Sequence, residues 1–88
     1  SNHIPLIITD LTNTYIQNKV YTGNNYIHSY SSSINGNNSS IIIGSDVTPL
    51  KEEGPVIIES GSTTFDGDKE VIIKNDFECK KGAILEIK

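Results

Sequence analysis

Three short apolar runs punctuate the second half of the chain: Ile41-Ile42-Ile43, Val56-Ile57-Ile58 and Val71-Ile72-Ile73. Their starts are evenly spaced, since 56 − 41 = 15 and 71 − 56 = 15. One more step back reaches Tyr26-Ile27, a weaker start of the same kind. Each run leads into small or polar residues (Gly44-Ser45-Asp46, Glu59-Ser60-Gly61, Lys74-Asn75-Asp76) and then into a second apolar position, Val47, Phe65 or Phe77. Gly23, Gly36, Gly54 and Gly67 lie shortly before the starts. Short β-branched runs bounded by turn formers predict strands. No stretch keeps the three-and-four spacing of an amphipathic helix for three turns, so no helix is expected.

The rest of the chain follows less regularly. Phe77-Glu78-Cys79-Lys80 alternates, placing Phe77 and Cys79 on one face of a strand and Glu78 and Lys80 on the other. Lys81-Gly82 reads as a tight turn into a last strand, Ala83-Ile84-Leu85-Glu86-Ile87, closing a hairpin over Phe77 and Ile87 with Leu85 and Ile87 inward. Residues 4–8 predict a strand start or edge because of Pro5. Residues 14–21 read as a strand pair. Residues 29–40, rich in Ser, Asn and Gly, read as a flexible connection within the domain.

Repetition at a fixed step is the signature of a stacked architecture. The expected fold is all-β, a small β-solenoid-like stack of short strands with a 15-residue period, in which Ile42, Ile57 and Ile72 lie above one another. The alternative is a small two-sheet antiparallel β-sandwich, which the alternation of the last segment also suits. Either way the 88 residues form a single β-rich domain, 1–88, with residues 1–3 a tag remnant or frayed terminus. A start at Ser1 without Met suits a processed or cloned fragment.

Composition strengthens the β reading and removes several functions. Ala occurs only at Ala83, and Met and Trp are absent. The apolar residues are therefore mostly β-branched, which favours pleated surfaces. The formal charge is −4, and every basic residue is Lys. That argues against nucleic acid, whose binders carry a basic stripe, and against an anionic membrane surface. The apolar runs are only three residues long, so no membrane insertion is expected. Cys79 is the sole cysteine, which excludes an internal disulfide and a self-sufficient zinc site.

Residues 54–88 carry a more specific pattern. Val56-Ile57-Ile58, Gly61, Phe65, Gly67, Val71-Ile72-Ile73, Phe77, Gly82, Ala83 and Leu85 fall in the order of strand, small-residue turn, aromatic, glycine turn, strand and a closing G-A-x-aliphatic segment. This resembles a C-terminal β-rich repeat of secreted and cell-surface proteins of the Bacteroidetes. The chain departs from that repeat at Asp76, where the family has glycine, at Cys79, where it has a small aliphatic residue, and at Leu85, where it has Phe. The resemblance implies an exported, non-enzymatic accessory module of a longer secreted or cell-surface bacterial protein, and the in-phase repeat without a polar cluster suited to chemistry makes a structural or spacer module the expectation. The implied partners are neighbouring domains of the parent protein, with end-to-end or edge self-association as a corollary. It brings no catalytic residue.

Few residues offer chemistry. His28 would need a nucleophilic serine and a buried carboxylate to form a triad, and no G-x-S-x-G elbow is present, so a half-exposed strand histidine is expected. Cys79, in phase with Phe77, is expected in the core rather than as a thiolate nucleophile. Asp66, Asp68 and Glu70 cluster around Gly67 and are the weak candidates for a metal, although Lys69 interrupts them and calcium-loop spacing is missing. No metal site and no cofactor are therefore expected. Tyr15, Tyr21, Tyr26 and Tyr30 are the candidate ligand-binding residues, since exposed rings beside Asn and Asp suit a glycan or a protein partner.

Overall fold

The computed structural model describes residues 13–29 and 39–88. The strand expected at residues 4–8, the 1–3 terminus, Gly36, Tyr30 and most of the 29–40 connection lie outside the described residues. Nine strands follow one another without a helix among the described residues: β1 (Thr14–Ile16), β2 (Lys19–Tyr21), β3 (Asn24–His28), β4 (Ser40–Ile43), β5 (Val56–Ile58), β6 (Ser62–Asp66), β7 (Glu70–Ile73), β8 (Phe77–Cys79) and β9 (Ile84–Ile87). They sort into three sheets of three strands, β1-β4-β7, β2-β5-β8 and β3-β6-β9, and every pairing is parallel. The chain thus winds through three coils, each contributing one strand to each sheet. This is a β-solenoid, as expected, and the parallel pairing rules out the antiparallel sandwich.

The 15-residue period does not survive as a coil. One turn in the first sheet takes 27 residues and then 30, from the pairings Thr14↔Ile41 and Ile41↔Val71. The 15-residue step is half of the second turn. Ile42 does lie over Ile72, but Ile57 belongs to the second sheet, between Val20 and Glu78. Tyr26 belongs to the third. The three runs look alike because each is three β-branched residues on one side of the same solenoid, and composition carries no information about which side.

The closing hairpin is also overturned. β8 pairs with β5 and β9 with β6, so Lys81-Gly82 turns a corner between two sheets instead of joining two strands of one. Likewise β1 and β2 lie in different sheets and do not pair. Parallel strands cannot be joined by a tight turn. In a solenoid, consecutive strands meet at corners and pair only with the coil above or below.

Alternation within each strand sends every second residue inward. Ile41 and Ile43 of β4, Val56 and Ile58 of β5 and Phe65 of β6 are fully buried, with Ile16 nearly so. Full burial of each such side chain is worth about 1.5–3 kcal/mol against leaving it exposed. A spine of rings runs through all three coils. Phe65 meets Tyr21 edge-on at 5.8 Å and Phe77 at 6.5 Å between centroids. Both geometries suit the ring quadrupoles.

The corners need unusual backbone. Asp76 has φ +48° and Asn18 φ +54°, both left-handed. Each directly precedes a second-sheet strand, so they turn the same corner in different coils. Asn18 and Asp76 thus adopt a conformation more usual for glycine, which Asn and Asp tolerate better than other side chains.

Candidate functional site

The outer face of the third sheet gathers most of the chemistry. Outward positions alternate along β3, β6 and β9, and the register Tyr26↔Thr64↔Glu86 and His28↔Asp66 sets them in rows. Neighbouring parallel strands lie about 4.8 Å apart, so three strands form a patch on the order of 10 Å across. The Tyr26 hydroxyl donates to Asp66 Oδ2. His28 Nε2 lies 3.3 Å from Asp68 Oδ1. Thr64 Oγ1 donates to Glu86 Oε1 at 3.2 Å. The Lys88 ammonium stands 5.9 Å from the centre of the Tyr26 ring. Asp66 and Asp68 lie 40 residues from their partners, and only coil-on-coil stacking brings them there.

Tyr26 is 58% exposed and presents its ring to solvent. Its phenol is held above the ordinary range, first by the hydrogen bond to Asp66, then by partial desolvation and by the charges of Asp66 and Glu86. All of these disfavour a phenolate. The face is thus an aromatic surface framed by carboxylates, a hydroxyl, an imidazole and an ammonium, suited to hydrogen bonding with polyols or amines.

The four tyrosines do not share a surface. Tyr15 is half-buried on the outer side of the first sheet, in line with Ile42 and Ile72. Tyr21 belongs to the ring spine, and burial raises its phenol. Tyr30 lies outside the described residues. Among the described residues only Tyr26 combines an exposed ring with polar neighbours. Of the metal candidates, Asp66 is bound to Tyr26, Asp68 faces His28 and Glu70 is exposed at the start of β7. Among the described residues no group of three His, Cys, Asp or Glu is arranged to hold a metal ion.

Cys79 corrects a core expectation. It lies in register with buried Ile58, but its thiol is exposed. Alternation with Phe77 gives the face of Cys79 but not its burial. It sits in the last described coil, where nothing described stacks beneath it.

One buried residue escaped sequence reasoning. Gln17, fully buried at the corner between β1 and β2, fills the 44–55 loop. Its Oε1 accepts from the Val47 and Thr48 amides at 2.7 and 3.0 Å. Its Nε2 donates toward the carbonyls of Thr48, Lys51 and Glu52 at 3.1, 2.9 and 3.1 Å. One glutamine between two strands leaves no pattern in sequence that would reveal this.

No family model matches the chain, and neither the curated proteins nor the solved structures contain a significant match.

Proposed function

We propose that this chain is a non-catalytic structural or spacer module of a larger exported or cell-surface bacterial protein, stacking against neighbouring β-rich segments. The observation that carries the reading is the unfinished last coil. β7, β8 and β9 each pair on one side only among the described residues. Ile73 and Ile87, in register with buried Ile43 and Phe65, are 41% and 46% exposed. The end coils of stable solenoids are covered by another coil or a cap. The likeness of residues 54–88 to a secreted Bacteroidetes repeat agrees with this assignment. Hydrogen exchange tests it: the β7–β9 amides should exchange fast in the isolated chain and slowly in the longer gene product. Equal protection in both removes the reading. The corollary of end-to-end association fails if the isolated chain stays monomeric across a concentration series.

A second reading, a carbohydrate-binding module, is favoured by Tyr26 alone, with its exposed ring framed by Asp66, Glu86 and His28. A glycan array with wild type and Tyr26→Ala decides it. Binding lost in the variant supports it, and an array without response excludes it.

A further inference from the structure

The corner between the first and second sheets is turned three times, at three different lengths. Two residues suffice between β1 and β2 (17 and 18), and three between β7 and β8 (74–76). Between β4 and β5 the chain takes twelve, residues 44–55. The fold requires none of the extra length. Yet these residues form a built structure. At the neck the Gly54 amide donates to the Ser45 carbonyl at 3.2 Å. The Ser45 amide donates to Asn75 Oδ1 of the next coil at 3.0 Å. A Cβ on Gly54 would lie 2.2 Å from the Asn18 side chain, so the neck is closely seated. In the middle Gln17 uses both lone pairs and both amide hydrogens on loop backbone, with none of its surface exposed. This is a compact Ω-type loop fixed from within, and such loops are disproportionately functional.

The tip of this loop is apolar. Leu50 is 89% exposed, the most exposed large hydrophobic side chain among the described residues. It is not loosely placed. Its amide donates to Thr48 Oγ1 at 3.2 Å, Thr48 is buried, and Pro49 between them has a fixed φ. A lone surface leucine is ordinary. A leucine raised on a loop that the fold does not need, and held by a buried amide with five polar contacts, is not. The loop also carries charge: Asp46, Glu52 and Glu53 against Lys51, a net of −3 + 1 = −2.

We infer that the 44–55 loop is a preformed protein-docking knob. Leu50 is its anchor, and its partner is a protein offering an apolar pocket with a basic rim. Pre-ordering removes the loop-immobilisation cost that a flexible loop would meet on binding. The acidic flanks steer the encounter and set its register, while the leucine supplies the desolvated centre. This inference does not depend on the stacking function. The knob is an insertion of the second coil, whereas the stacking reading rests on the one-sided strands β7, β8 and β9 of the third.

The test places a photoreactive diazirine leucine at position 50 of the full chain and irradiates it in extract and medium of the source cells. The expected result is one discrete adduct. Mass spectrometry should map it to apolar residues flanked by Lys or Arg. Unlabelled wild-type chain should compete it away, and Leu50→Ala or Glu52→Lys/Glu53→Lys chain should need about tenfold more or greater. Both variants change exposed side chains, and unchanged circular dichroism confirms that they fold. Four outcomes overturn the inference: no discrete adduct, competition by Leu50→Ala as strong as by wild type, an adduct mapped to an acidic or polar surface, or an adduct joining two copies of this chain.

Discussion

Ile43 and Ile73 occupy one ladder a single coil apart, yet the first is fully buried and the second is 41% exposed. The same contrast repeats around the solenoid: Ile58 against Cys79, and Phe65 against Ile87. The pairing and the inward parity are alike in the second and third coils. The second coil differs in being sandwiched between described strands on both sides. In a stack this thin, a residue's burial comes from its neighbours along the axis as much as from its own strand, so the second coil should carry most of the stability and the third should be replaceable.

The largest expected test of that contrast compares two rings of the spine. Phe65→Ala empties a site enclosed by Tyr21 and Phe77 and should cost about 3–5 kcal/mol. Phe77→Ala removes a half-buried ring of the open coil and should cost roughly 1–2 kcal/mol. Urea denaturation followed by circular dichroism measures both. Equal losses would mean that the third coil is as well packed as the second. Since a domain's total stability is about 5–15 kcal/mol, the Phe65 variant should lie near the edge of folding.

A corner glycine from each coil sharpens the comparison with less effect on the core. Gly61 and Gly82 both have positive φ, +76° and +92°. A Cβ on Gly61 would stand 2.1 Å from the Gly23 carbonyl oxygen of the coil above, whereas one on Gly82 would meet nothing within 4 Å. Gly82→Ala should therefore cost only the left-handed strain, about 1–2 kcal/mol. Gly61→Ala adds a backbone clash and should cost about 2–4 kcal/mol. A Gly61→Ala variant no worse than Gly82→Ala would show that the coils are not closely stacked at this corner.

These two comparisons also mark how far the sequence could be read. The strands were legible because β-branched triplets between turn formers have few other uses. The inward phase was legible as well, since Phe77 and Cys79 do share a face. What failed was the assignment of runs to sides. Ile41-Ile42-Ile43 and Val56-Ile57-Ile58 differ in no property that tells the first sheet from the second, and the extra residues of the 44–55 loop make half a turn look like a whole one. Burial of Cys79 was illegible for a related reason: alternation reports a direction, and the presence of a coil beneath is a separate fact. At the candidate site the sequence points to Tyr26 but not to its setting. Asp66 and Asp68, read as a cluster with Glu70, turn instead toward Tyr26 and His28 across 40 residues of chain.

A smaller effect is expected at Asp76. Its φ of +48° strains a side-chain-bearing residue by about 1–2 kcal/mol, and its side chain is exposed. Asp76→Gly relieves that strain but adds roughly 0.5–1 kcal/mol of unfolded-state entropy. The net expectation is a gain of roughly 0.5 kcal/mol, read as a small rise in Tm. Asp76→Val should move Tm downward, because a β-branched residue tolerates this conformation poorly. If both variants leave Tm unchanged, the third coil's corner is already open in solution and the coil is looser than its pairing implies.

The subtlest test separates core from face through two phenols raised for different reasons. Burial alone lifts Tyr21, which packs against Phe65, while Tyr26 is lifted chiefly by its hydrogen bond to Asp66. Asp66→Ala should therefore bring Tyr26 back toward the ordinary phenol value of about 10 and leave Tyr21 late. Absorbance titration of the phenolates, with Tyr21→Phe and Tyr26→Phe to assign them, reads both. The sign for stability follows from linkage. A phenol whose folded pKa is raised contributes stability that is complete below its unfolded pKa, and that stability is lost as pH rises through the folded value. In Asp66→Ala the Tyr26 share of this alkaline loss should shrink, and the Tyr21 share should remain because it comes from burial against Phe65. If Tyr26 titrates identically with and without Asp66, the contact across 40 residues is not made in solution, and the third sheet's outer face is a set of separate side chains.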